Sequence, residues 1–180
     1  MKRLLYIVPL ALVFCFSFAC QDKAAMAELE KYKAKTALEE QNTTLFRKDV
    51  DEWNQRNSEH FRDAYASDYA YFYPSGISKS MSRDEVIEMM KMLWTAFPNI
   101  IWSIDELRAS GDMVMSRNTF RGTHTGAFQG ILPTGNKFEL YLMNMSRFKN
   151  GKVIEEREEY DGLSLMQMLG MELKPREVKK

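Results

Sequence analysis

The sequence predicts an α+β domain, and three observations carry that expectation. Helical texture fills most of the chain up to Pro98, strict period-two alternation follows it, and turn sequences cut that alternation into four strands. Helices first and a meandering sheet afterwards is the pattern of one layered domain rather than of alternating βα units.

The first residues read as an export signal. Lys2 and Arg3 precede an apolar run from Leu4 to Ala19. That run is shorter than the roughly 20 residues a membrane span needs, and strongly polar sequence follows at once, so residues 1–19 are expected to be removed. Ser17, Phe18, Ala19 and Cys20 resemble the lipobox of bacterial lipoproteins, which implies a lipidated Cys20 as the new N-terminus. Ala19 and Cys20 fit that pattern, whereas Ser17 and Phe18 depart from it; an ordinary signal peptide with an incidental cysteine is the alternative. The lipobox reading places the protein in the cell envelope, anchored by lipid and facing outside the cytoplasm. Cys15 lies inside the apolar run, so Cys20 is the only cysteine left and no internal disulfide can form. Losing Lys2 and Arg3 leaves 23 basic against 25 acidic residues, a balance that gives nucleic acid no purchase.

Residues 20–41 are expected to form a helical stalk. "KAAMAELEKYKAKTALEE" has no glycine or proline and sets Ala25, Leu29 and Tyr32 at helical steps, with Met26 beside them. Its role is to space the domain from the anchor or to pack on it. The domain proper is expected over 42–172, with Asn42 or Thr43 as N-cap of two helical pieces that break near Asn57 and Ser58. Phe46, Val50, Trp53, Phe61 and Tyr65 supply their apolar stripe. "DYAYFYPSG" predicts a short strand and turn. Ser82 and Glu85 have capping-box spacing and open a helix that closes at Pro98. Strands follow over 100–109, 113–123, 137–148 and 153–161, then a short helix in "GLSLMQMLGM" and a basic tail over 173–180.

The long connection "RGTHTGAFQGILPTGNKFEL" invites a phosphate-loop or metal reading. A phosphate loop needs a lysine and hydroxyl closing the glycines at a helix mouth, but Lys137 leads into a strand. A metal site needs several convergent ligands, and His124 has only the distant His60 as an imidazole companion. No metal is expected, and what remains is a long strand connection with His124 at a strand end.

The segment "FRGTHTGAFQGILPTGNKF", preceded by "TAFPNIIWSIDELRASGDMV" and followed by "FKNGKVIEEREEYDGLSLMQMLG", resembles the SnoaL-like polyketide cyclases, also called ester cyclases. The resemblance runs in order from about Leu45 to Gly170. It implies a nuclear-transport-factor-like cone: a curved antiparallel sheet closed by the N-terminal helices and the short C-terminal helix around a pocket. It also implies cofactor-free closure of a carbonyl compound by an acidic residue acting as general acid and base, which falls on Asp161. The acidic position three residues earlier is Glu158.

Such chemistry needs a carboxyl in apolar surroundings, because an exposed one near pKa 4 is a poor base toward a carbon acid. Asp161 alternatively caps the final helix. His124 can orient a carbonyl, or be held by backbone groups. Asn118 and Asn144 share the alternation of Val114, Phe120, Leu140 and Leu142, so they meet a ligand or satisfy each other and nearby backbone. Tyr69, Tyr71 and Tyr73 share one side of their strand, and Met89, Met90, Leu93 and Phe97 line one helix. Tyr71, Trp94 and Phe120 are the aromatic candidates for holding a flat apolar ligand. The last strand departs from relatives: Glu155, Arg157 and Glu159 fall on one parity and Glu156 and Glu158 on the other. A glutamate pair lacking a cation shifts toward protonation.

Three functions remain open from sequence. The first is an exported cyclase- or isomerase-like enzyme acting on a small apolar carbonyl compound. The second is a non-catalytic binding module, or a homodimer through the open sheet face. The third is a subunit of an envelope complex that uses the stalk as partner surface.

Overall fold

The computed structural model describes residues 7–172 and 174, with side chains from Lys23 onward. The side chains of the expected signal peptide and of Cys20 lie outside the described residues, as does all of the basic tail except Lys174. The chain divides into two compact units, residues 1–38 and 39–180. In the first, the described residues are helical, and Met26, Leu29 and Tyr32 are exposed.

Helix α1 spans Ile7–Asn54, so no helix begins at the expected cap of Asn42 or Thr43. The Thr43 and Thr44 hydroxyls donate back to the Glu39 and Glu40 carbonyls instead, which leaves the helical ladder intact. Asn42 is buried and its Nδ2 donates to the Gly111 carbonyl at 3.2 Å. Phe46, Val50 and Trp53 form the buried stripe of this stretch, at the helical steps the sequence predicts.

The break does fall where expected. Arg56 adopts a left-handed φ of 64°, and Asn57 caps α2 (Ser58–Ala64). Arg56 holds the corner by donating to the carbonyls of Trp53, Asn54, Pro98 and Ile100. Strand β1 (Tyr65–Phe72) and the two-residue β2 (Met81–Ser82) lead into α3 (Arg83–Ala96). Both capping-box bonds of α3 are present, and the helix buries Val86, Ile87, Met90 and Ala96.

Strands β3 (Ile101–Ser110), β4 (Met113–Thr123), β5 (Lys137–Lys149) and β6 (Lys152–Tyr160) form the predicted meander, and α4 (Gly162–Met168) follows. The six-stranded sheet has the order β2-β1-β6-β5-β4-β3. It is curved and does not close. One pairing departs from the antiparallel expectation: β1 runs parallel to β6. Parallel neighbours require a long crossover, and the chain from α3 through β5 supplies it. Register shifts in β3, β5/β6 and β1 mark bulges, which bend strands and add twist.

The core lies between the buried sheet face and the helices. Trp53 stacks on Phe120 with centroids 5.1 Å apart and planes 8° from parallel, and it meets Trp94 and Trp102 edge-on at 5.8 Å. These aromatics fix α1 and α3 over β3 and β4.

Candidate active site

The glycine-rich connection from β4 to β5 is tied down by backbone bonds. His124 N–H donates to the Asn136 carbonyl, Gly135 N–H donates to the His124 carbonyl, and Thr125 and Gly126 donate to the Ala96 carbonyl. The loop therefore caps the C-terminal end of α3, satisfying a carbonyl that the helix leaves without a partner. Gly126 lies so close that a Cβ there would strike the Thr95 carbonyl. Beyond it, Phe128 and Ile131 bond to each other across a tight turn in which Gln129 and Gly130 take φ of 49° and 83°.

Phe128 and Gln129 thereby reach a cavity of about 90 Å³. Its wall also includes Met89 and Leu93 of α3, the C-cap residue Phe97, and Tyr71, Phe120, Leu140, Glu158 and Tyr160 of the sheet. A second cavity of about 50 Å³ shares Tyr71, Met89, Leu93, Phe120 and Glu158 with it and continues to Asn144 and Glu156. Glu158 thus borders both.

Tyr71 Oη donates to Glu158 Oε1 at 2.9 Å. Burial pushes the Glu158 carboxyl up to about 7; donors on Tyr71 and Asn144 pull it down, and the neighbouring Glu156 pushes it up. A carboxyl poised there is half proton donor and half acceptor at neutral pH, the condition for general acid–base work. Glu156, one parity step away, is also raised, chiefly by burial. Tyr69 donates to it at 2.6 Å and Ser146 Oγ lies 2.7 Å away. Arg157 points to the other face, 2.9 Å from Glu155 and over the Phe72 ring. Among the described residues neither inward glutamate has an ion-pair partner, and no group of three or more His, Cys, Asp or Glu is gathered as a metal site requires.

A profile of the SnoaL-like polyketide cyclases matches residues 43–169, well over half of the chain. The chain belongs to the SnoaL-like polyketide cyclase family. Solved structures agree. AclR of Streptomyces galilaeus, a candidate hydroxylase, is 26% identical with a TM-score of 0.65, over 72% of this chain and 95% of AclR. A candidate SnoaL-like cyclase from Jannaschia sp. CCS1 is 20% identical with a TM-score of 0.68, over 76% and 96% of the two chains. IdmH of Streptomyces antibioticus, a candidate polyketide cyclase, is 24% identical with a TM-score of 0.63, over 72% and 99%. No curated protein matches the sequence.

Asp161, to which the resemblance pointed first, lines neither cavity. It is exposed and caps α4: Oδ1 accepts from Ser164 N–H at 2.9 Å and Oδ2 from the Ser164 hydroxyl at 2.6 Å. Those bonds hold its carboxyl below the usual range, the opposite of what a base toward carbon needs. The reason is local. β6 ends at Tyr160, so residue 161 no longer follows the strand's alternation and turns outward to open the helix.

The other sequence candidates divide. Tyr71 and Phe120 line both cavities, and Asn144 lines the smaller one. Asn118 is buried but lines neither, and its Nδ2 donates to Ser116 Oγ at 2.7 Å, so the two asparagines do not satisfy each other. Trp94 packs edge-on against Trp53 and is outside both linings. His124 is fully buried with Nδ1 3.1 Å from Thr134 Oγ1, holding the loop rather than facing the cavity. Sequence reading missed Phe128 and Gln129, for which no periodic signal exists inside a loop. Glu156 was visible only as a partner of Glu158 on one parity.

Proposed function

We propose that this SnoaL-like domain performs cofactor-free proton transfer at carbon on a small apolar carbonyl compound, as an enolisation leading to cyclisation or isomerisation. The observation that carries it is Glu158, a carboxyl poised at about 7 that borders both cavities and is hydrogen-bonded by Tyr71. Ionised Glu158 takes the proton α to the carbonyl, and the C–H electron pair becomes an enolate. In an isomerisation the proton returns to a different carbon. In a cyclisation the enolate carbon attacks a second carbonyl of the same molecule, and protonated Glu158 gives its proton to the new alkoxide. The cavity of about 90 Å³ is far below the several hundred Å³ of a drug-sized site, so it receives the reacting end of a small compound. Anything larger must displace Phe128. Native mass spectrometry of the domain carrying Glu158→Gln should retain an unconverted small molecule that wild type returns altered. The same unaltered species on both proteins would count for a binding module instead.

A second reading is supported by the outer sheet face. Met115, Tyr141, Met143 and Met145 are exposed there on adjacent strands, with Met115 opposite Met145. Exposed apolar clusters on a sheet favour self-association, so the domain pairs with a second copy through this face. Sedimentation velocity should show a dimer that Met143→Glu dissociates; a wild-type monomer at all concentrations rules the pairing out.

From the sequence we further propose export and anchoring through lipidated Cys20, with residues 20–41 spacing a domain of residues 42–172 from the membrane. Cys20→Ser should move the protein from the membrane to the soluble fraction of its host cell. Equal fractionation of both forms would reject the anchor.

A further inference from the structure

The buried polar groups behind Glu158 form a chain whose proton count is constrained. Ser146 Oγ lies 2.7 Å from Asn144 Oδ1 and 2.7 Å from Glu156 Oε1. A hydroxyl carries one proton and can donate to only one of two acceptors. The second short contact therefore needs a proton from the other side. Asn144 cannot supply it in this orientation, since its Nδ2 is the donor that faces Glu158, its cross-strand neighbour. Turning the amide over would set Oδ1 against the Glu158 carboxyl. Tyr69 cannot supply it either, because its phenol already donates to Glu156 Oε2.

We infer that Glu156 is a neutral carboxylic acid at neutral pH and a positioning residue for Glu158, its proton locking Ser146 and hence the Asn144 amide that donates to Glu158. The sequence of donors is then complete: Glu156 O–H to Ser146, Ser146 O–H to Asn144 Oδ1, Asn144 N–H to Glu158. Glu158 is left as the acid of the pair that ionises, with Tyr71 as its second donor.

Burial is the largest influence on Glu156 and favours its neutral form, while hydrogen bonds from Tyr69, Ser146 and Tyr65 work the other way. Glu156 is 6% exposed and has no cationic partner among the described residues. On β1 it faces Tyr65 and Tyr69, phenols whose own ionisation burial suppresses and which therefore act on Glu156 only as hydrogen-bond donors. From α1 the carboxyl of Asp49, itself 2.6 Å from His60 of α2, pushes Glu156 further toward its neutral form. On β6 the adjacent Glu155 and Arg157 pair with each other, and on Glu156's own side the nearest titrating group is Glu158, whose charge and that of Glu156 disfavour each other. The reverse arrangement has the proton on Glu158, the amide turned over and Glu156 ionised; it places the buried charge beside Asp49 and outside the lining of the larger cavity.

The inference rests on Glu158 being the working acid–base group, but its test reads protons rather than turnover. Infrared spectra of protein labelled with carboxyl-¹³C glutamate distinguish protonated from ionised glutamates and exclude aspartates. At about pH 8, where Glu158 is mostly ionised, wild type should show a protonated glutamate carbonyl. That band should persist in Glu158→Gln and vanish in Glu156→Gln. Its absence from wild type, or its loss in Glu158→Gln, overturns the inference. Should Glu156→Gln fail to fold, Ser146→Ala serves: releasing Asn144 should move the Glu158 titration upward, and an unmoved titration overturns the positioning role.

Discussion

Replacing Glu158 by glutamine is expected to lower the rate of proton transfer from carbon by roughly 10²- to 10⁴-fold, the usual worth of a positioned general base. The glutamine side chain keeps the shape and can still accept from Tyr71, so the loss reflects the missing base rather than a collapsed wall. Wild-type activity should rise with pH through about 7, as the Glu158 carboxyl ionises. Stability should move the opposite way. Glu158 holds its proton more tightly folded than unfolded, so its contribution is fullest below about pH 4.5 and is lost as pH rises toward 7. The wild-type loss over that window is up to about 3 kcal/mol from this group. Glu158→Gln should remove that slope, so urea unfolding at about pH 5 and pH 8 should show the variant gaining on wild type. Asp161→Asn is the control. Asparagine caps helices as well as aspartate, so α4 and the rate should both be unchanged.

Trp53→Ala should be the most damaging single truncation of the core, costing about 3–5 kcal/mol. Trp53 is 2% exposed, stacks on Phe120 and meets Trp94 and Trp102 edge-on, so its removal unpacks α1 from α3 and from the sheet at once. Phe120 and Trp53 both border the smaller cavity, and the hole would merge with it. Calorimetry should place the midpoint roughly 10 °C or more below wild type. A shift of only a degree or two would mean the aromatic cluster is not what joins the helices to the sheet.

Much of this fold is legible in the sequence because local signals agreed. The Ser82–Glu85 box, the stop at Pro98 and the turns SGD and KNG mark boundaries that the structure reproduces. The running-on of α1 was missed: no glycine or proline interrupts residues 23–54, but Asn42 and Thr43 suggested a cap because their side chains can serve as one. The parallel β1–β6 pairing was not legible either, because a pairing across so many residues leaves no local trace.

The site was harder, and β6 shows why. Val153 is buried, and strict alternation from it would send Glu155, Arg157 and Glu159 inward. The register shifts between Arg147 and Phe148, so Phe148 pairs with Val153 while Arg147 pairs with Glu155, and Ile154 is the extra residue. That single bulge reverses the parity and buries Glu156 instead. It sends the cation outward with Glu155 and leaves two carboxyls facing the cavity side. Sequence could pose the choice between the two parities, but only the bulge makes it.

Removal of protons from carbon by Glu158 inside this cavity can be followed without knowing the natural substrate. The most direct measurement is exchange of the α-protons of a small cyclic ketone, cyclopentanone, in D₂O, followed by proton NMR with wild-type protein and with Glu158→Gln. Wild type should exchange the α-protons faster than buffer, with a rate that climbs through about pH 7, and the glutamine variant should fall back toward the buffer rate. Exchange by wild type no faster than buffer, or equally fast by both proteins, would contradict it.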